Sequence, residues 1–600
     1  GVADLDNTSK VIALVKQQVS QILSAHSTDW DVNVKYAGNI VAQKFQQMRM
    51  KSDFSKASIF ALIAVLLILS IFTKRIVTVF ILAIPLVCSL IITIAIAELV
   101  FGRLNLVSGF LVAALVGLGI DFGIHLYLRY LDELKNQGPE AALLDAITKV
   151  LPGSATGALT TFAAFLAMTY SNFAGFREFG YIAAIGVIVA LVCTYLGVPT
   201  LLFLARKPHN AARQIERTSL GYKISQGLLH HRRLVFGLAA CITMLSICVL
   251  PRVELSNDFT KLRGQSKVFE LNGQINGAVG GSLNPAAILL KSMPDERLAS
   301  QYISKLVEDP NNHLRRFVSP STLLPSHISE RKKVIEKMRR LLEKASDTDK
   351  TDPRFTNLAN LLNSTPWTEQ QIPLLYRERL FAKQSGQPLL LLWPKLQLGL
   401  EKNLSTWETI LTKIKRDLAK QGVDIKIGDP NRVAARVLTK IRRDGPIILL
   451  IAFLVVSLLV LIDFRNVKKT VLISSSVALS ILWLLGTTVI LGLDINVFNQ
   501  ALIPSILGLG IDNAIHMMHH HQHSQQHDKA SYAHAMSTTG LASFLASATT
   551  LAGFGALIVA DHYGVRSMGL LSIVGVTITF ICTTVLLPLS LTWPKSSGGS

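Results

Sequence analysis

Gly117-Leu118-Gly119-Ile120-Asp121 lies in the middle of an apolar stretch, and roughly 390 residues later the same five residues return as Gly508-Leu509-Gly510-Ile511-Asp512. A histidine follows four residues after each aspartate, His125 and His516. The match extends outward in order. Gly102 and Asn105 answer to Gly492 and Asn496, Thr160-Thr161 to Thr549-Thr550, and Phe165 to Phe554. Gly175, Arg177, Gly180, Gly186 and Pro199 answer to Gly564, Arg566, Gly569, Gly575 and Pro588. Upstream, Gly38 and Asp53 answer to Gly428 and Asp444. General enrichment of Gly and Thr in membrane helices does not produce paired Asp, His, Arg and Pro in one order, so the chain carries an internal repeat.

The repeat sits in membrane-type sequence. Of the 600 residues 50% are hydrophobic and only 16% charged, against about 25% charged in ordinary soluble domains. Mean hydropathy is +0.41. A bilayer-spanning helix needs about 20 apolar residues. Such runs fall near 56–72, 76–100, 105–129, 154–172, 179–205 and 234–251, then near 445–462, 469–492, 497–519, 541–560 and 566–592. Short turns such as Thr73-Lys74-Arg75 and Asp463-Phe464-Arg465-Asn466 make neighbouring spans antiparallel hairpins.

The formal charge of +21 could suggest nucleic acid, but the basic residues cluster beside the apolar runs, as membrane topology requires. Segment 206–233 holds seven Lys or Arg against one acid, Glu216. Lys74, Arg75, Arg129, Lys135, Arg465, Lys468 and Lys469 fall on the same side by hairpin alternation, and that side is expected to be cytoplasmic. The five cysteines all lie in apolar runs, which excludes a disulfide framework and zinc spacing.

The expected fold class is a polytopic α-helical membrane protein of two repeated six-helix units, the first helix lying before this stretch, with α/β periplasmic domains. The start at Gly1 reads as a truncation. Residues 1–50 are expected to end a first periplasmic domain, 51–205 to hold spans 2–6, and 206–233 to be a cytoplasmic linker. Span 7 is expected at 234–251, a second periplasmic α/β domain at 252–444, spans 8–12 at 445–592 and a cytoplasmic tail at 593–600. Within 252–444, strands are expected at Ala286–Leu290, Arg316–Val318, Leu389–Trp393 and Val423–Ile427, and helices at Asp295–Glu308, Ser329–Lys344, Glu369–Lys383 and Trp407–Lys420. This alternation fits a small split β-α-β domain. The basic helix 331–344 reads as a solvated face or a lipid-headgroup site, and Trp367, Trp393 and Trp407 as core or as lining of a hydrophobic path.

A carboxylate at the bilayer centre costs about 2.5–3.5 kcal/mol, so Asp121 and Asp512 are functional candidates by default. His125 and His516, one turn on, share their helix face and could pass a proton or simply lock two helices together. Gly117, Gly119, Gly508 and Gly510 permit close helix approach. Thr160, Thr161, Thr549 and Thr550 on the following helix could bond the carboxylates or return to their own helix carbonyls. The cluster His516, His519, His520, His521, His523 and His527 has i,i+4 spacings but lacks neighbouring Cys or acids apart from Asp528, and no metal is expected there. No nucleophile elbow, P-loop or dinucleotide glycine pattern occurs in a credible context, which argues against an enzyme and against ATP as energy source. No cofactor is expected beyond a proton gradient.

Two six-helix units, large outer domains and Gly-x-Gly-Ile-Asp in the fourth and tenth spans resemble the resistance–nodulation–division (RND) superfamily. Within it the sequence is most similar to the MmpL-type lipid exporters, including the hopanoid transporter branch. The resemblance implies proton-coupled export with relay acids at Asp121 and Asp512, and a relay threonine at Thr549 or Thr550. Many MmpL proteins carry Asp-Tyr at the relay, whereas here Phe122 and Asn513 follow the aspartates, so a relay must use histidine, threonine or water. The implied partners are membrane lipid, a hydrophobic substrate, a second or third copy of the chain and periplasmic proteins, with no nucleic acid. The implied location is the cell inner membrane. Drug or fatty-acid efflux, a sterol-sensing or Patched-like receptor, and a SecDF-like translocation accessory remain alternatives, although the short inner loops favour transport over reception.

Overall fold

Long helices dominate because apolar runs in a bilayer must satisfy their backbone groups internally. The computed structural model describes residues 5–25, 34–102, 110–205, 218–253, 255, 267–278, 284–324, 328–344, 353–363, 372–396, 398, 401–523 and 529–591. In chain order the elements begin with α1 (Leu5–Ala25), α2 (Asn39–Thr73), α3 (Ile76–Phe101), α4 (Leu111–Glu133), α5 (Pro139–Ala167), α6 (Ala174–Leu204), α7 (Thr218–His230) and α8 (Arg232–Val249). Then follow α9 (Lys267–Ala278), β1 (Ala286–Leu289), α10 (Met293–Glu308), β2 (Leu314–Val318), α11 (Ile328–Glu343), α12 (Pro353–Asn363), α13 (Leu374–Leu380), β3 (Leu389–Pro394), α14 (Glu401–Lys420) and β4 (Lys426–Gly428). The chain continues with α15 (Pro430–Phe464), α16 (Val467–Ile490), α17 (Leu502–His523), α18 (Lys529–Ser537), α19 (Thr539–Gly555), α20 (Tyr563–Phe580) and α21 (Leu587–Leu591), with a π turn at Ile581–Leu586 before the last.

Two compact units result, one from 1–30, 42–265 and 437–600, the other from 31–41 and 266–436. Among the described residues, eleven helices in the chain are long and apolar enough to cross a membrane. Several run past the apolar stretch that marks them. The span expected at 154–172 belongs to a helix starting at Pro139, and the one at 56–72 to a helix starting at Asn39. Hydropathy registers only the part in contact with lipid, while backbone hydrogen bonding carries the helix on through polar residues.

In the helical unit α4 and α17 are the most enclosed helices, with 89% of their most apolar windows buried. Helices α2, α3, α6 and α8 instead expose Ile71, Ile91, Leu99, Leu196, Phe203, Leu238 and Met244, as lipid-facing surfaces do. The repeat reaches the turns. Lys74 and Arg465, at the α2–α3 and α15–α16 hairpins, both take positive φ, 52° and 48°. Gly102 and Gly492 cap the ends of α3 and α16 at φ 66° and 62°, a left-handed conformation that glycine adopts without Cβ strain.

The paired aspartates upstream of each repeat tie the copies together. Buried Asp53 on α2 accepts the backbone N–H of His562 at 3.0 Å, in the α19–α20 turn. Buried Asp444 on α15 accepts the backbone and side-chain N–H of Asn172 at 2.9 and 3.1 Å, in the turn before α6. Each copy's leading helix thus clasps the last turn of the other.

The α/β unit is a four-stranded antiparallel sheet of order β2-β3-β1-β4, with Ile288 opposite Leu390 and Ile427. This is the order of a split β-α-β domain, β1-α10-β2 followed by β3-α14-β4. Helices α10 and α14 cover one face, where Ala299, Ile303, Trp407, Leu411, Ile414 and Leu418 pack on Ile288, Leu390 and Leu392. Leu389–Trp393 is therefore an interior strand, and its alternate residues Leu390 and Leu392 are fully buried in sheet core. Trp407 is core too, while Trp393 carries the Arg316 guanidinium 4.6 Å above its ring, and Trp367 lies outside the described residues. Gly38, from the opening segment, donates its N–H to Asn272 at 2.7 Å within this unit.

Some sequence-based boundaries shift. Among the described residues the helix expected at Glu369–Lys383 is Leu374–Leu380: Pro373, at φ −52° and ψ 142°, is its N-cap and accepts the Arg377 N–H at 3.0 Å, and Phe381 is already extended. The closing strand moves from Val423–Ile427 to Lys426–Gly428, since Val423 and Ile425 are buried as the connection leaves α14. Helices α1 and α12 lie outside the elements expected from the sequence, although Val11, Val15, Val19 and Ile22 in α1 and Leu358, Leu361 and Leu362 in α12 recur at helical spacing.

Asp429, 5% exposed, accepts the Trp407 indole N–H as well as the Asn431 backbone N–H at 2.8 Å. Asp429→Ala leaves that indole donor without an acceptor, which costs about 1–3 kcal/mol. The expected result is faster tryptic cleavage within 266–436 of the intact protein, with the helical unit unaffected.

Candidate functional site

Helix α4 packs most closely on α19, and α17 on α5, so the central helix of each copy lies against a helix of the other. Glycine makes this possible. A Cβ at Gly117 would stand 2.9 Å from the Thr550 Cα, one at Gly553 2.9 Å from the Gly117 Cα, and one at Gly508 3.1 Å from the Thr161 Cα. These backbones are in direct contact. Gly119 and Gly510 face the other way: Cβ atoms there would press on Leu86 and on the Thr579 methyl, so they admit α3 and α20.

Crossing the copies brings the candidate residues together. Asp121 is 6% exposed, and Thr549 and Thr550 of α19 reach it with hydroxyls 3.3 and 3.2 Å from its two carboxylate oxygens. Each hydroxyl has one hydrogen and a competing helix carbonyl: Ala546 O at 2.8 Å for Thr549 and Gly117 O at 3.3 Å for Thr550. The threonines can therefore turn toward the carboxylate or away from it without moving the backbone. The symmetry-related pair behaves differently. Thr160 bonds back to Gly157 O at 2.9 Å, and Thr161 donates to Gly508 O at 3.2 Å; neither is bonded to Asp512.

Asp512 instead lies against Gly157 of α5, where a Cβ would overlap its Oδ1 and come 2.7 Å from its Cγ. That oxygen, buried, has no hydrogen-bond donor and stands 3.5 Å from His516 Nε2. Asp121 and Asp512 border one small cavity, with Asn513, Ser547, Thr550 and Thr579 around it. The Asn513 amide donates to Ser547 Oγ at 3.4 Å. The first copy has Phe122 and Ala158 at the matching positions, so the cavity is polar on the second copy's side.

The two histidines meet at the repeat's pseudo-axis. His125 and His516 stack face to face, ring centroids 4.2 Å apart and planes 10° from parallel, and both Nε2 atoms are buried without a hydrogen-bond partner. Charging both rings would set two unit charges about 4 Å apart, a repulsion on the order of 4 kcal/mol at an effective dielectric of 20. The stack therefore accommodates one proton at a time. Four titratable side chains, the Thr549 and Thr550 hydroxyls and a cavity bordered by Asn513, Ser547 and Thr579 form an arrangement able to take up, share and release a proton.

Gly153 and Gly157, which seat His516 and Asp512, are not among the residues expected from the sequence: Gly153 falls just outside the span expected at 154–172, and Gly157 lies inside it. Their Gly-xxx-Gly spacing, which the second copy replaces with Ala542 and Ala546, is the available signal. The histidine run divides: His516 belongs to the central group, His519 and His520 lie further along α17, and His527 is outside the described residues. Among the described residues no His, Cys, Asp and Glu cluster has a metal-binding arrangement.

A model of the MMPL family matches residues 2–228 and 280–593. The chain belongs to the MMPL family. Two curated relatives are hopanoid transporters, HpnN of Rhodopseudomonas palustris (strain TIE-1) and HpnN of Burkholderia multivorans (strain ATCC 17616 / 249). The first is 24% identical over 600 residues, covering 90% of this chain and 67% of that protein. The second is 23% identical over 585 residues, covering 84% and 63%. This MMPL-family chain thus spans about two thirds of the length of the curated relatives it matches. Among solved structures it is similar to SecDF, a translocon-associated membrane protein from Thermus thermophilus, with TM-score 0.55, 14% identity, and 91% of this chain and 63% of that one covered. It is also similar to the hedgehog release protein Disp from the water bear Hypsibius dujardini, with TM-score 0.61, 14% identity, and coverage of 91% and 71%. At such identities the likeness is one of fold. The MMPL-family chain is accordingly an RND-type multi-pass protein of the inner membrane.

Proposed function

We propose that the chain is the transport machinery of a proton-driven lipid exporter, not an enzyme, and that its cargo is a hydrophobic polycyclic lipid of the hopanoid kind moved from the inner membrane toward the periplasm and outer membrane. The observation that carries this reading is the pair of buried aspartates, one from each repeat, on a single cavity. Taking up a proton removes the cost of a charge in the bilayer, and losing it restores that cost. Because Asp121 is bonded by α19 of the other copy, its charge state bears on how the two halves fit together. One charge moved through 100 mV supplies about 2.3 kcal/mol. The relatives' names support the cargo class. The cargo test is lipid analysis of separated inner and outer membranes from a deletion strain and its complement. Loss of polycyclic lipid from the outer membrane on deletion supports the reading. Unchanged lipids with lowered resistance to small amphiphilic drugs would favour drug efflux instead.

The orientation goes with this reading: the basic turns face the cytoplasm and the α/β unit the periplasm. A cysteine at exposed Lys344 is expected to react with an impermeant thiol reagent in cells with a permeabilised outer membrane, and one at Arg213 is not. Equal labelling at both positions contradicts the orientation. Dimers or trimers and periplasmic partners are compatible with the same scheme.

A further inference from the structure

The second repeat carries an extension of the central group that the first lacks. One turn beyond His516 on α17, His519 faces Asp463 at the end of α15, Nε2 to Oδ2 2.8 Å. The two imidazoles border one spot on α5: a Cβ at Gly153 would stand 3.0 Å from His516 Nδ1 and 3.7 Å from His519 Cδ2. Exposure rises along the series, side chains of His516, His519 and Asp463 being 8%, 20% and 21% accessible. The charged and titratable groups around His519 are Asp463, His516, His520 and, across the Phe464 ring, Lys469 with its ammonium 5.9 Å from the ring centroid. Phe464 lies 4.6 Å from the His519 ring and closes the apolar side.

The matching place in the first repeat is built of other chemistry. Leu128 and Phe72 occupy the positions of His519 and Asp463. Next to them Arg129 pairs with Glu133 at 2.6 Å, and Lys149 with Glu133 at 2.8 Å and Asp145 at 3.2 Å. Arginine does not release a proton in a protein, and a lysine held between two carboxylates is poorly suited to do so near neutrality. Imidazole is the side chain that gains and loses a proton in that range.

We propose that protons leave the central aspartates toward the cytoplasmic side through the second repeat alone, along His516, His519 and Asp463. The inference rests on the proton-coupled reading above. One proton passes from the Asp512 carboxyl to His516, is handed to His519 and reaches water beside Asp463. Each imidazole accepts at one nitrogen and releases from the other, so the relay carries a single positive charge inward and leaves each ring in the opposite tautomer, which a ring flip or exchange of its N–H proton with water resets before the next proton. Asp463 orients the His519 ring and holds the passing charge, which makes it a positioning residue.

The test uses the intact protein in vesicles of lipid extracted from its source cells, with proton flux driven by a potassium diffusion potential and read by an enclosed pH dye. His519→Gln and the near-isosteric Asp463→Asn are expected to lower the initial flux about 100-fold, the low end of what a positioned acid–base group contributes. Imidazole added on the face carrying the 463–469 turn should restore much of the loss. A merely structural defect would not respond to a mobile buffer. Parental flux in both variants, with Asp121→Asn still inactive, would place the exit elsewhere and overturn the inference. Loss without imidazole rescue in either variant would overturn it as well. Parental flux in Asp121→Asn would instead sink the proton-coupled reading itself.

Discussion

Asp121→Asn and Asp512→Asn are each expected to abolish proton flux in vesicles while leaving expression and folding nearly intact. Asparagine keeps the shape of the protonated acid: its Oδ1 accepts one of the Thr549 and Thr550 hydroxyls now 3.3 and 3.2 Å from Asp121, and its Nδ2–H donates to the other. It even removes the cost of a buried charge, so stability should hold or rise. What it removes is the ability to bind and release a proton, and with it about 2.3 kcal/mol of driving force per charge and 100 mV. Weakened binding would be overcome by more cargo; a lost driving force is not. His125→Ala is expected to give a partial loss, because water in the vacated space can relay the proton, whereas His516→Ala, which breaks the exit path, is expected to lower the flux about as far as His519→Gln. Full flux in either aspartate variant contradicts the mechanism.

Gly157→Ala is expected to lose most activity from a single added methyl group. The Cβ has no free space, since Asp512 Oδ1 already occupies its position and Cγ lies 2.7 Å away. The carboxylate must swing off α5 or the α5–α17 contact must open, and overpacking of this kind costs about 1–3 kcal/mol, or roughly five- to 150-fold in occupancy of the working arrangement. The expected readout is proton flux reduced by that factor with an unchanged size-exclusion profile in detergent. Parental flux would mean that the position of Asp512 against α5 is not needed.

Both substitutions bear on how far the sequence alone reaches. The repeated Gly-Leu-Gly-Ile-Asp, the histidines four residues on and the Thr-Thr pairs were legible because membrane helices penalise polar residues, so each one stands out. The eleven spans were legible for the same reason, and the split β-α-β order from short alternating segments. What could not be read was partnership. The sequence places Thr160 and Thr161 next along the chain from Asp121, yet Asp121 is served by Thr549 and Thr550, because α4 packs on α19 across the repeat. Nor does equal spelling give equal environments. Asp512 faces Gly157 where Asp121 faces threonines, a difference traceable to one position that is glycine in the first copy and Ala546 in the second. The stacking of His125 on His516 likewise depends on an axis that only the folded pair of repeats creates.

The central claim is that protonation of these two aspartates drives lipid export, and the most direct measurement is the polycyclic-lipid content of outer membranes from a deletion strain complemented with the parent or with Asp121→Asn at matched expression. The account predicts that the parent restores the outer-membrane lipid and that Asp121→Asn leaves it at the level of the deletion strain, with the lipid retained in the inner membrane. Outer-membrane lipid restored fully by Asp121→Asn would contradict it.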